Sequence, residues 1–300
     1  MLTRVGDFAQ HQRITQLLLD AQTRAREAQI QIGTGKVAQR FREVAPDADR
    51  LLAAKDALYQ IRQYRANNDL VAGRLGVMES AVGSLHEVGS RLKVLLIQRL
   101  DAGSAVPGVI TPEVQQLLEQ AVSDLNVDFA GRYLFSGTRT DTAPVVLDPA
   151  FAGFGGPDAT YYRGDAVALS VRADAERDVA YGMTADRAGF QELIGALRAA
   201  LAGDASDDRA LLESALGLVN AALPKVADDR SELGAGQAAL ERINLGHDDA
   251  EVYLERQISD IENVDLAGAV TRLSQDQMVL ESAMATIARL SQVTLADFLR

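Results

Sequence analysis

Apolar residues recur at steps of three and four along most of this chain, and the pattern breaks where glycine and proline cluster. Over residues 3–32, Val5, Phe8, Ile14, Leu18, Ala21, Ala25, Ala28 and Ile32 form a loose helical stripe rich in small side chains. Gly33-Thr34-Gly35 ends it, and a polar connector leads to Ala45-Pro46-Asp47. Residues 48–101 predict one long helix, because Val71, Leu75, Met78, Val82, Leu85, Gly89, Leu92 and Leu96 alternate steps of four and three, a heptad seam. The run from Gly103 to Gly108 stops it. Thr111-Pro112-Glu113 predicts a new helix to about residue 130, with Thr111 as N-cap and Pro112 in the first turn.

The stretch from Tyr133 to about Tyr181 is full of turn formers and holds short β-prone pieces. Pro144–Leu147 is one. Thr160–Arg163 and Ala166–Val171, joined by Gly164-Asp165, predict a hairpin. Helical spacing resumes at Asp186 with Phe190, Ile194, Leu197 and Leu201, ended by Gly203, and Ser206 is placed to cap the next helix. A long seam follows: Leu212, Leu216, Val219, Leu223, Val226, Arg230, Leu233, Gln237, Leu240, Asn244, His247, Glu251, Leu254, Ile258 and Ile261. Pro224 should kink or restart this helix. Its late polar members either fix register and partner or mark a seam turning to solvent. At Asp265 the register slips, and a separate stripe runs Leu266, Val270, Leu273, Gln277, Leu280, Met284 and Ile287 into the tail Leu295, Phe298 and Leu299.

The pattern therefore predicts a mainly α protein: a long, coiled-coil-like helical bundle with its N- and C-terminal helices paired and a small β-rich insertion in mid-chain. The expected domains are 1–45 with 265–300, 46–131 with 186–264, and the insertion 132–185. Composition agrees, since aromatics make up only 5 % of the chain and there is no Trp, which suits close-packed helices better than a thick β-sandwich. Charge supports the pairing of the ends: residues 1–45 carry seven Arg or Lys against four acids, and 245–300 carry four Arg against ten acids. The net charge of −12 argues against nucleic acid and against an anionic membrane surface as partners. The first residues lack the apolar core and small-residue cleavage site of a signal peptide, and no long uninterrupted apolar run suggests membrane insertion.

Chemistry is sparse. The absence of Cys removes disulfides, thiolate metal sites and thiol catalysis. His11, His86 and His247 have no partners at ligand spacing and are read as exposed; Asp207-Asp208-Arg209 and Asp228-Asp229-Arg230 are read as solvated helix ends and faces. Gly153–Pro157 lacks the Lys-Ser/Thr of a phosphate loop, and Tyr133–Gly137 is not a nucleophile elbow. No catalytic, cofactor or metal site is expected.

Three segments carry a resemblance. Gln29–Lys36 closes the first helix as the N-terminal helix of flagellins closes. Ala130-Gly131-Arg132-Tyr133-Leu134-Phe135-Ser136-Gly137, running on to Pro144, resembles the segment that leads into the β insertion of hook-associated junction proteins. Asp265–Leu280 with Leu290–Leu299 resembles the terminal helix of the same group. The chain thus resembles the flagellin superfamily over roughly half its length. The resemblance implies a structural subunit of an axial tube, with paired terminal helices inside and the insertion facing outward. It implies copies of itself, a hook-side junction protein and flagellin as partners, an export chaperone on the C-terminal helix, and an extracellular place in the flagellum. A short flagellin and a non-flagellar coiled-coil adaptor remain the other readings. The expected assembly interface is Val5, Phe8, Ile14, Leu18, Leu266, Val270, Leu273, Leu280, Met284, Ile287, Leu295 and Phe298.

Overall fold

The computed structural model describes residues 2–38, 47–101 and 106–298, with side chains over 12–38, 47–101 and 106–289. The Ala45-Pro46 connector and the first glycine of the 103–108 break lie outside the described residues. The elements run α1 (Leu2–Thr34), α2 (Ala48–Asp101), α3 (Thr111–Leu125), β1 (Asp128–Phe129), β2 (Arg132–Tyr133), β3 (Ser170–Asp174), β4 (Arg177–Ala180), α4 (Ala188–Ser206), α5 (Arg209–Glu262) and α6 (Leu266–Phe298). They form two compact units, residues 1–59 with 251–300 and residues 60–250.

The larger unit is built on antiparallel α2 and α5. Arg65 meets Asp248 at 2.7 Å and Arg230 meets Glu79 at 2.7 Å, so the contact level moves down one helix as it moves up the other. The α2 seam is buried along Leu75, Met78, Val82, Leu85, Leu92 and Leu96. On α5 the buried row is Leu212, Val219, Val226, Leu233 and Leu240, flanked by Ala215, Ala222 and Asp229 instead of the expected Leu216, Leu223 and Arg230. That row is turned by one residue because α5 also receives α4, whose Gly189 lies against Lys225 and Val226. Gly89, read as a seam position, allows close approach: a Cβ there would stand 2.9 Å from Leu223 and 3.3 Å from Leu193.

Several local expectations are corrected. Helix α5 runs unbroken through Pro224, which lies on its exposed side. The proline's cost of about 3 kcal/mol is offset by the buried Val219, Ala222 and Val226 around it. Ser206 does not cap α5; the Asp208 carboxylate accepts from the Ala210 and Leu211 amides. Thr111 does not cap α3, which starts after Ile110 without a side-chain cap of its own. The amides of Ile110 and Thr111 donate instead to the Asp204 carboxylate, at 3.0 and 2.9 Å. Helix α3 also stops at Leu125, short of residue 130, because β1 and β2 form a hairpin immediately after it.

The middle of the chain is two small hairpins joined by irregular turns. Ala130 (φ 54°) and Gly131 (φ 75°) form the β1–β2 turn in the left-handed region, which the twist of a two-residue hairpin loop favours. Leu134 and Phe135 then plunge into the core, where Phe135 meets Phe190 edge-on with centroids 6.2 Å apart. Gly137 (φ 70°) has no room for a side chain beside Asp165. The hairpin expected at 160–171 lies further on, between β3 and β4, turning at Ala175-Glu176. Tyr162 instead bridges Val145, because Tyr161 is drawn inside and donates its hydroxyl to the Ala185 carbonyl at 2.6 Å. The connecting loop is clamped by Arg198, which donates to Asp158 at 2.7 Å and lies 4.2 Å over the Phe151 ring.

Of the late polar seam, His247 is buried, Gln237, Asn244 and Glu251 are half-buried, and Arg230 is exposed. His247 is buried, stacks on Tyr64 and places Nε2 2.9 Å from the Ala173 carbonyl of β3. Asn68 donates to the same carbonyl at 3.0 Å and to Asn244 at 2.9 Å. The expectation that His247 is exposed is therefore corrected. Two helices cannot cover their own seam here, and the β hairpin supplies a backbone acceptor that polar side chains satisfy.

Candidate assembly face

The smaller unit pairs α1 with α6. Its connectors set the register: Val37 N–H donates to the Glu262 carbonyl at 2.8 Å, Val264 N–H to the Gly35 carbonyl at 3.0 Å, and Lys36 bridges Asn263. Gly35 takes φ 69°, the left-handed turn that glycine makes without strain, and this explains the break read at Gly33-Thr34-Gly35. Lys55 and Lys36 both donate to the Glu262 carboxylate, and these bonds hold it below the ordinary carboxylate range. From that clasp α1 and α6 run antiparallel, with Arg24 on Asp276 at 3.1 Å.

The contact row on α1 is Ile14, Leu18, Ala21, Ala25, Ala28 and Ile32. The alanines are buried and the larger residues half-buried. On α6 the facing row includes buried Ala269, with Leu273, Leu280 and Ile287 half-buried. At 3.6 residues per turn, α6 carries an apolar arc wider than one partner helix covers. Its other edge, Leu266, Val270 and Met284, is 51 to 52 % exposed. Of the expected interface, then, Ile14, Leu18, Leu273, Leu280 and Ile287 come together inside the chain, and Leu266, Val270 and Met284 do not. Val5, Phe8, Leu295 and Phe298 belong to α1 and α6, but their side chains lie outside the described residues. The alanine row was visible as a 3/4 spacing, yet small residues were not given an interface role. Ala21→Leu should wedge the pair apart at about 1–3 kcal/mol, read as faster hydrogen exchange across α1 and α6.

Among the described residues no cluster of His, Asp or Glu could hold a metal. The acidic pair at 228–229 is not simply solvated. Asp229 is buried, and burial pushes its carboxyl up to about 6; Arg187 at 3.2 Å pulls it down, while Glu232 and Asp228 push it up. The folded state therefore holds this proton more tightly than the unfolded chain does. The resulting stability is fully present below pH 4 and is lost as pH rises through about 6. Asp229→Asn should flatten that fall and leave the protein about 1 kcal/mol more stable at pH 8, the gain reduced by the lost Arg187 contact. Urea midpoints at pH 4 and 8 check it. One stretch of α5 is apolar enough by composition to cross a membrane, although its Leu212, Val219 and Val226 are buried in the protein's own core.

Residues 216–299, most of α5 and all of α6, match the family model of the bacterial flagellin C-terminal helical region. Over this stretch the chain is similar to the flagellins. The chain is 24 % identical over 266 residues to flagellar hook-associated protein 3 of Escherichia coli, covering 83 % of this chain and 78 % of that one. It shares its fold with the crystal structures of hook-associated protein 3 from Legionella pneumophila (TM-score 0.58, 14 % identity, 70 % of this chain and 98 % of that one) and of FlgL from Bacillus cereus (TM-score 0.56, 18 % identity, 70 % and 99 %). The similar proteins are structural flagellar proteins rather than enzymes.

Proposed function

We propose that this chain is a structural subunit of the bacterial flagellum that joins the hook to the filament. The observation that carries the reading is the terminal unit: α6 pairs with α1 along an alanine row and leaves a second apolar edge, Leu266, Val270 and Met284, open to a neighbour. Among the described residues, more than half of the large exposed apolar side chains lie in this unit, far more than scattered surface residues require. The 24 % identity to hook-associated protein 3 supports the junction over the bulk filament. In this reading Val5, Phe8, Ile14 and Leu18 with Leu266, Val270, Leu273, Leu280, Met284, Ile287, Leu295 and Phe298 form the assembly interface. Copies of the chain stack with each other, with a hook-side junction protein and with flagellin. The chain leaves the cell without a cleaved signal peptide, its C-terminal helix held until then by an export chaperone.

Electron microscopy of isolated flagella bearing a tagged chain tests this. A narrow band where hook meets filament is the expected result. Label along the whole filament would make the chain a short flagellin, and no label would remove it from the flagellum.

A further inference from the structure

Readily oxidised side chains are few in this protein: the chain has five Met and neither Cys nor Trp. Among the described side chains, Met78 and Met183 lie in the core of the larger unit, 1 % and 2 % exposed, while Met278 and Met284 lie on α6, 61 % and 52 % exposed. A thioether reacts with peroxide as far as solvent reaches it. The sulfur attacks one peroxide oxygen, the O–O bond breaks as an S–O bond forms, and water leaves with the other oxygen and both protons. Sulfur gives up two electrons and the peroxide takes them.

The two exposed sites differ in their surroundings. Nine residues is about two and a half helical turns, so Met278 stands opposite buried Ala269, on the side of α6 turned from α1. Residues three and four apart are neighbours on a helix, and around Met278 these are Ser274, Gln275, Glu281 and Ser282. A sulfoxide there has water and side-chain donors beside it. Eighteen residues is about five turns, so Met284 stands in line with Leu266 on the open apolar edge. Its neighbours are Leu280, Glu281, Ile287 and Ala288. None of these side chains donates, since an ionised carboxylate only accepts. A sulfoxide oxygen on Met284 therefore keeps its hydrogen bonds only while water covers the edge, and an apolar neighbour laid on it would strand a buried acceptor.

We propose that Met284 is an oxidation site whose sulfoxide blocks the Leu266–Val270–Met284 edge from docking on a neighbouring subunit, and that docking in turn shields its sulfur from peroxide. Met278 reacts as readily without that consequence. The proposal rests on the junction-subunit reading and adds a chemical modification that the edge does not tolerate.

The purified chain and isolated flagella are treated with dilute hydrogen peroxide, and oxygen uptake at each Met is followed by peptide mass spectrometry. In the free chain Met278 and Met284 should react about tenfold or more faster than Met78 and Met183, and in flagella Met284 should slow by about tenfold. Met284→Gln, an uncharged polar stand-in for the sulfoxide, should cut the junction label of a tagged chain about tenfold, whereas Met284→Leu and Met278→Gln should keep it. All three variants change exposed positions and should keep the circular dichroism and melting of the unmodified chain. A full junction band with Met284→Gln, or equal oxidation of Met284 in flagella and in the free chain, overturns the proposal and leaves the function reading standing. So does an equal loss of label with Met278→Gln, or a loss of helix signal in Met284→Gln, which would place this side chain inside its own chain. Absence of the band for the unmodified tagged chain strikes the function reading instead.

Discussion

Deleting residues 265–300 should remove the chain from the flagellum while residues 60–250 stay folded. The core of the larger unit draws on α2, α3, α4, α5 and the hairpins, and none of its buried cluster comes from α6. What the deletion takes away is the partner of α1: Ala269 and the half-buried Leu273, Leu280 and Ile287 that cover Ala21, Ala25 and Ala28, together with the Asp276 partner of Arg24. A lone helix with so narrow and alanine-rich an apolar row is marginal in water, so α1 should lose its helicity as well. Circular dichroism should lose the signal of both terminal helices while the melting transition of the larger unit stays in place. Electron microscopy should show hooks without filaments. A truncated chain that still joined hook to filament would sink the assembly reading of the terminal unit.

The largest single-residue loss of stability is expected at Asp204. Its fully buried carboxylate accepts from Arg99 Nε at 2.7 Å, from the Ile110 and Thr111 amides at 3.0 and 2.9 Å, and from the Thr111 hydroxyl at 2.8 Å. It ties the end of α4 to the end of α2 and to the start of α3, whose first amides have no other cap. Burial alone would raise this carboxyl, but the hydrogen bonds from Arg99, Thr111 and Ile110 outweigh it and hold it below its ordinary range. Its contribution is thus present above pH 4 and lost as pH falls through the lowered value, the opposite sense to Asp229. Asp204→Ala leaves the buried Arg99 guanidinium with Asp207 alone and should cost about 3–5 kcal/mol. For a unit of this size that is a fall of roughly 10 °C in melting temperature. Asp204→Asn keeps an acceptor and should cost less, about 1.5–3 kcal/mol. Equal losses for the two variants would show that the charge is not what matters.

Much of this was legible because it is local. The 4/3 spacing of Val71–Leu96 fixed a helix whose ends, Ala48 and Asp101, fall where the sequence placed them. The double glycine at 33 and 35 and the register slip at Asp265 marked the two breaks that free α1 and α6 to pair. The Ala130–Gly137 segment stood out as a motif, and its physical content is a left-handed turn, a buried aromatic and a glycine pressed against Asp165. Illegible were the features whose cause lies far along the chain. Asp204 caps a helix 93 residues before it, so Thr111 looked like the cap. His247 looked like an exposed residue because its partner, the Ala173 carbonyl, sits in a hairpin that side-chain spacing cannot dock.

By itself, then, the sequence determined which stretches are helices, where they break, and that the two ends carry complementary charge and matching stripes, since periodicity and glycine act within a few residues. Only the tertiary structure decided which edge of each stripe is covered. On α6 the apolar arc is wider than α1 can bury, so Ala269 and Leu273 face inward while Leu266, Val270 and Met284 stay on the surface. A helical repeat states how wide an apolar face is; only the diameter and placement of the partner helix set how much of it remains uncovered.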